Sequence, residues 1–302
     1  MTFSTQLDEG LAADCMAAAY EGGVNFFDNA EVYARGESER VMGAALRRLE
    51  WSREDFVVST KFFGGIHPGV NTTETLNRKY LLQAIGPSLD RLGLEFVDIV
   101  YCHSPDPHTP IEETVWAMHD IIARGQALYW GTSNWPAEAI RAAVEIAERD
   151  HLHKPVVEQP QYNLLHRERV ERWLAPVCDE LGIGLTTWSP LAFGVLTGKY
   201  LDGVPERSRA NVEGVEWLAT MAQDPSSTRM ATEVVRLASD AGCSPAQLAL
   251  AWCLKQPRVS SVITGASSVA QVLENLGALE VASQLSDSVL TQLDGASSRP
   301  TT

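Results

Sequence analysis

Short apolar runs alternate with longer stretches whose apolar positions recur at helical spacing, over almost the whole chain. Leu7 to Gly22 is the first such stretch: Leu11, Met16 and Tyr20 stand among alanines, and Gly22-Gly23 stops it. Val24, Phe26 and Phe27 then read as a buried strand. The unit repeats. Helices are predicted over Glu37–Leu49, Tyr80–Leu92, Ile111–Arg124, Ala137–Ile146, Arg167–Leu181, Arg229–Ala241, Pro245–Leu254 and Val269–Leu276. Strands are predicted to start at Val24, Phe56, Val97, Leu128, Val156, Gly184 and Ser261. The segment Phe62 to Val70, which holds Gly64, Gly65, Pro68 and Gly69, is too long for a simple connection and predicts a functional lid or wall. From Glu280 the remainder runs into a polar tail, 296–302, expected to be disordered.

Regular alternation of strand and helix, with no break in composition, is the pattern of a parallel sheet covered by helices. One (β/α) barrel domain over 1–302 is predicted. The doubly wound alternative lacks a GxGxxG after the first strand. In a barrel the loops after the strands form the reactive face, so the residues that end each strand carry most information. The first run ends in Asp28 and reaches Tyr33 on the loop above it; the second ends in Lys61 and the third in His103. A plainer reading makes Asp28 a cap for the helix that starts near Gly36 and Tyr33 a packing residue. Three strand ends converging on proton-transfer groups favour chemistry. An ammonium beside a phenol lowers its pKa, a carboxylate keeps a buried ammonium charged, and an imidazole can donate to an oxygen held beside the phenol. Such a set polarises a carbonyl oxygen and protonates it. The carbonyl carbon must then receive hydride, which no side chain supplies and a nicotinamide cofactor does.

Composition narrows the field. The 302 residues carry a formal net charge of -15, with pI near 4.9, which excludes a polyanion such as nucleic acid as partner. Hydrophobic content of 45% allows a sizeable core. The five cysteines, Cys15, Cys102, Cys178, Cys243 and Cys253, form no CxxC pair and read as reduced core residues. No targeting segment or membrane span is read in the sequence, so a cytoplasmic protein without membrane insertion is expected. His67, His103 and His108 with Asp106 offer no HxH or HExxH spacing for a metal, and His151-Leu152-His153 reads as a solvated loop behind the reactive face. Cys102, alternating with a strand-end histidine, points into packing rather than acting as a nucleophile.

Specific blocks add a resemblance. Phe27 to Tyr33 followed by Gly36-Glu37-Ser38-Glu39, then Ser59-Thr60-Lys61, then Asp98 to His103, resemble the successive signatures of the aldo-keto reductases. Trp130 to Trp135, Glu158 to Asn163, Thr187 to Leu191 with Gly194 to Tyr200, and Gly265-Ala266-Ser267 through Gln271, Glu274 and Asn275 are similar in particular to the branch of the voltage-gated potassium channel beta subunits and their bacterial relatives. The resemblance implies a (β/α)8 TIM barrel with Asp28, Tyr33, Lys61 and His103 as catalytic tetrad and Tyr33 as general acid. It implies NADPH as cofactor: Ser133, Asn134 and Gln159 at the carboxamide, Trp188 against the nicotinamide, and Ser189, Leu191, Gly194, Lys199 and Arg209 along the pyrophosphate. Ser267, Gln271, Glu274 and Asn275 would hold the adenosine end, where Ser267 and the N–H groups of a helix start suit a 2′-phosphate. Many members carry arginine where Gln271 stands, so Arg209 is expected to supply part of that charge.

Two departures matter. Animal channel subunits carry asparagine at the position of His103, so this chain keeps the enzyme-type tetrad. Relatives also have an N-terminal hairpin and a first barrel strand before the residues matching Thr2-Phe3, and six residues before Leu7 leave no room for them. A start lying further upstream, or a weakened barrel open beside the strand at Val24, is expected. The implied activity is reduction of a small aldehyde or ketone, in a pocket walled by Phe62, Phe63, Trp135 and Tyr162, in a possible homo-oligomer. The alternative is a subunit that binds NADP(H) and senses redox state with little turnover.

Overall fold

The computed structural model describes residues 7–205, 208, 210 and 215–297. Two compact units make up the chain. The first comprises 1–160, 173–185 and 265–273, and the second 161–172, 186–264 and 274–302.

The first unit opens with helix α1 (Glu9–Glu21), capped by Asp8, whose carboxylate accepts the Leu11 N–H at 2.8 Å. Strand β1 (Phe26–Asp28), helix α2 (Glu37–Leu49), strand β2 (Val57–Phe62), helix α3 (Arg78–Leu92), strand β3 (Val97–Cys102), helix α4 (Ile111–Ala123), strand β4 (Ala127–Ser133), helix α5 (Ala137–Arg149) and strand β5 (Val157–Gln159) follow. Helix α6 (Ala175–Leu181) leads into strand β6 (Gly184–Trp188), which pairs with β5 through Gly184 and Leu185. Each strand lies parallel to the next, with Asp28 opposite Ser59 and Lys61 opposite Tyr101. Consequently Asp28, Lys61 and His103, whose N–H donates to the Phe62 carbonyl at 2.9 Å, stand at the same end of three adjacent strands. Leu7, Ala12, Cys15 and Val41 form a core cluster with Leu11, Val269 and Val272 packed against it.

The second unit holds helices α7 (Trp217–Gln223), α8 (Pro225–Asp240) and α9 (Pro245–Leu254), strand β7 (Val259–Ile263), the last three residues of helix α10 (Val269–Leu276), which otherwise belongs to the first unit, and helices α11 (Ala278–Gln284) and α12 (Asp287–Ser297). A reciprocal cap of Ser244 and Gln247 starts α9. The sheet runs β1-β2-β3-β4-β5-β6-β7, one strand after another in chain order, and the fold is of the (β/α)8 TIM barrel class with seven of its strands among the described residues.

The elements differ from the periodicity in instructive places. The single helix predicted over Arg167–Leu181 divides into a π-type turn, Arg169–Leu174, and α6, because Pro176 has no N–H to give the carbonyl four residues earlier. Helix α8 starts four residues before Arg229, since Asp224 caps it by accepting the Ser226 N–H at 2.9 Å and Pro225 takes the first position. Helices α7, α11 and α12 have no counterpart in the sequence prediction. The predicted tail falls partly on α12, which ends at Ser297, and partly on 298–302, outside the described residues.

Candidate active site

Asp28, Tyr33, Lys61 and His103 all belong to the first unit and meet at its strand ends. Lys61 is fully buried and ion-pairs with Asp28, and its Nζ also donates to the Asn29 carbonyl at 2.8 Å. Asp28 does not cap α2, which begins after Gly36 in the left-handed region (φ 87) with no side-chain cap. Its Oδ1 instead accepts from the Ser59 hydroxyl at 2.5 Å and the Gln159 amide at 3.2 Å. Tyr33 starts a tight turn in which Ala34 and Arg35 take positive φ, 49° and 54°. Lys61 Nζ lies 5.3 Å from the centre of its ring, and the His103 ring stands edge-on to it at 5.6 Å.

Electrostatics follow from that burial. Desolvation raises the Tyr33 phenol above its ordinary value; Lys61 pulls it down and Asp28 pushes it up. The expectation that the ammonium would bring the phenol below its usual range is therefore corrected: Lys61 acts in that sense, and burial outweighs it. Burial would lower Lys61, yet the charge of Asp28 and then Tyr33 outweigh it and hold the ammonium above its ordinary value. His103 is lowered to about 3 by burial and then by Lys61, so the imidazole is neutral at pH 7. The arrangement is a phenol that keeps its proton, beside a fixed cation and a neutral imidazole, suited to donating a proton to an oxygen.

Around this cluster the first unit sets Ser133, Asn134 and Gln159 at the ends of β4 and β5. Ser133 Oγ donates to the Gln159 carbonyl at 2.8 Å, and Asn134, at φ 58, donates its amide to Ser133 Oγ at 3.3 Å. Ser267 and Gln271 meet before and within α10, where Gln271 Oε1 accepts from the Ser267 N–H at 2.8 Å and its hydroxyl at 3.1 Å. Trp188, Ser189, Leu191, Gly194, Lys199, Glu274 and Asn275 belong to the second unit. There Ser189, at φ 55, accepts the Phe193 N–H on its hydroxyl at 3.2 Å, and the Trp188 and Phe193 rings meet edge-on with centroids 6.2 Å apart. The Leu191 carbonyl accepts the Gly194 N–H at 2.9 Å, and Lys199 lies so close to Gly194 that a Cβ there would meet Nζ at 2.6 Å. Glu274 gives its carbonyl to the Gln247 amide at 3.0 Å, and Asn275 sits in the last turn of α10. Arg209 lies outside the described residues.

Other expectations change in the structure. Phe62, Trp135 and Tyr162 are buried, and the Tyr162 hydroxyl donates to Glu171 at 2.8 Å, so of the four aromatic wall residues only Phe63 is partly open. Cys102 is buried and its thiol pushed up by desolvation, as expected for packing. His151 and His153 are exposed, as expected for a solvated loop, and the His153 ring also stacks on His119 with centroids 4.7 Å apart. Sequence reasoning missed Ser59, although it lies two residues from Lys61 and so on the same side of β2. It also missed a buried network in which Glu39 accepts from Thr60 Oγ1 at 2.5 Å, Arg91 Nε at 2.7 Å and the Ser88 hydroxyl; these residues are far apart in the chain and carry no motif that links them.

The described residues contain no helix long and apolar enough to cross a membrane. Similarity to known proteins runs over nearly the whole chain. A relative named "Probable voltage-gated potassium channel subunit beta" from Oryza sativa subsp. japonica is 48% identical over 296 residues, covering 97% of this chain and 89% of the relative. A relative of the same name from Arabidopsis thaliana is 47% identical over 295 residues, with the same two shares. The description "Aldo/keto reductase family" matches residues 1–298, a family that generally uses a nicotinamide dinucleotide. With that span and those identities, the chain that buries Lys61 against Asp28 at its strand ends is a member of the aldo/keto reductase family.

Proposed function

We propose that the chain is an NADPH-dependent oxidoreductase that reduces small aldehydes and ketones to alcohols, with Tyr33 as general acid. The observation that carries this reading is the buried Asp28–Lys61 pair with Tyr33 and His103 against it. The donor set fits a nicotinamide dinucleotide. The amides of Asn134 and Gln159 and the Ser133 hydroxyl carry the paired donors and acceptors that a carboxamide needs. The cradle at Gly194, which a Cβ would fill, brings Lys199 to a turn suited to a diphosphate. At α10 the Gln271 amide oxygen already accepts from the Ser267 N–H and hydroxyl, as a phosphate oxygen would. Glu274 and Asn275 are read as adenosine-end residues, Trp188 as the residue against the nicotinamide, and Ser189 and Leu191 as residues along the pyrophosphate. The dinucleotide, when bound, supplies the hydride.

The chain's own groups do the rest. Neutral His103 orients the carbonyl oxygen beside Tyr33 by donating from one ring nitrogen. Tyr33 passes its proton to that oxygen as negative charge develops on it. Lys61 stabilises the phenolate that remains, and Asp28, held by Ser59 and Gln159, keeps Lys61 charged in a site where it would otherwise lose its proton. The test is oxidation of bound NADPH by a panel of small aldehydes in rapid mixing; no acceleration by any of them overturns the reading. The family's channel-subunit relatives support a second reading, a cytoplasmic NADP(H)-binding regulatory subunit with little turnover. It is favoured if cofactor binds tightly and no carbonyl compound oxidises it.

A further inference from the structure

Glu31 lies two residues before Tyr33 and is hydrogen-bonded to the glycine-rich loop, and the reductase reading makes no use of it. It is 2% exposed. Its Oε1 accepts the Gly65 N–H at 3.2 Å, and the Phe63 N–H donates to the same carboxyl group. Its own N–H donates to the Lys61 carbonyl at 3.3 Å, so the residue is tied both to the strand that carries the ammonium and to the loop that leaves it. Beside it Val32 packs on Gly64, where a Cβ would come within 2.8 Å of Val32 Cγ2. Further along, Ile66 reaches Gly36, where a Cβ would meet Ile66 Cδ1 at 3.1 Å and Arg91 Cδ at 2.8 Å. The loop closes on itself through the Thr75 N–H and the Phe63 carbonyl at 3.1 Å, over a Gly65 at φ +70 that leaves no space for a side chain.

We propose that Glu31 is a positioning residue that clasps the loop from Phe63 to Thr75 beside Tyr33 and thereby sets which carbonyl compounds reach the phenol. The inference rests on the reading of Tyr33 as the acid and adds the residue that governs access to it. Glu39 from α2 and Arg91 from α3 are the charged groups that face Glu31, and the loop contributes backbone N–H groups. Arg91 is already engaged by Glu39, which also takes the Thr60 and Ser88 hydroxyls. Burial and then Glu39 therefore raise Glu31 to about 7. A carboxyl that holds its proton when covered and gives it up when exposed makes closure proton-linked: the open loop gains on the closed one as pH rises from about 4.5 towards 7 and levels off above it.

Hydrogen exchange on the full chain, corrected for the intrinsic rate at each pH, reads the clasp without any turnover. Glu31→Ala is expected to exchange about thirtyfold faster over residues 64–70 with β2 and β3 unchanged, the loss of two ordinary hydrogen bonds. No change in the loop, or equal loosening of β2 and β3, overturns the proposal. If that variant does not fold, wild type against Glu31→Gln decides: wild-type protection of the loop falls between about pH 4.5 and 7 and is level above that, while the glutamine variant stays level throughout. A level wild type, or a glutamine variant that falls alike, overturns it. With turnover, Glu31→Ala shifts KM for a bulky aromatic aldehyde against that for a small aliphatic one and leaves kcat for the small one in place. An absence of all turnover would count against the Tyr33 reading, and the exchange result would still decide the clasp.

Discussion

Tyr33 keeps its proton because burial dominates its surroundings, and the first consequence concerns a single atom, the phenol oxygen. Tyr33→Phe retains the ring and loses the proton donor, so turnover should fall by about 10²- to 10⁴-fold while NADPH affinity, read by tryptophan fluorescence, stays within about twofold. A variant with full turnover would remove Tyr33 from the mechanism. The pH profile is a second check. Since His103 is lowered to about 3 and Tyr33 is raised, kcat/KM should show no histidine break near neutrality and should decline only on the alkaline side, as Tyr33 loses its proton. Lys61 and Asp28 make the third case. Asp28→Asn leaves a fully buried ammonium without its counter-charge, and urea unfolding should show a loss of about 3–5 kcal/mol. Retained stability would mean that Lys61 is neutral in the variant.

Elements act through how closely their backbones approach. Helix α2 presents Gly43 to the end of α3, where a Cβ would stand 2.5 Å from the Leu92 carbonyl oxygen. The contact is with backbone, which cannot swing aside as a side chain can. Gly43→Ala should therefore destabilise by about 1–3 kcal/mol in urea or thermal unfolding, against the usual gain from replacing glycine inside a helix. A stabilised variant would show that α2 can move away from α3 at little cost. The same two helices carry Glu39 and Arg91, so a shift of α2 should also loosen the surroundings of Glu31. The π-type turn at Arg169–Leu174 shows the opposite case, in which one missing N–H, that of Pro176, reshapes an element.

At the scale of the whole molecule, two buried groups give stability opposite slopes with pH. His103, lowered from 6.5 to about 3, binds a proton more readily in the unfolded chain; its contribution is present above 6.5 and is lost as pH falls towards 3. Glu31, raised from 4.5 to about 7, binds its proton more readily in the folded chain; its contribution is present below 4.5 and is lost as pH rises towards 7. The two oppose each other between those ordinary values. Glu31→Gln removes one slope, so its stability relative to wild type should rise between about pH 4.5 and 7, by up to roughly 3 kcal/mol. A flat or falling difference in urea titrations would show that Glu31 has an ordinary pKa. How much of this was legible in the sequence follows from what each observation depends on. Hydrophobic periodicity determined the order of strands and most helices, and parallel order alone brought Asp28, Lys61 and His103 to one end of adjacent strands, because side-chain pattern and strand direction are local properties. Local capping and proline effects moved the boundaries at Pro225 and Pro176. Only the tertiary structure decided that the phenol is raised rather than lowered, that Phe62 and Trp135 are buried, and that Glu31, Glu39 and Arg91 share one interior. Burial and the balance of charges depend on what residues distant in the chain bring together, and a pattern read along one dimension does not contain that sum.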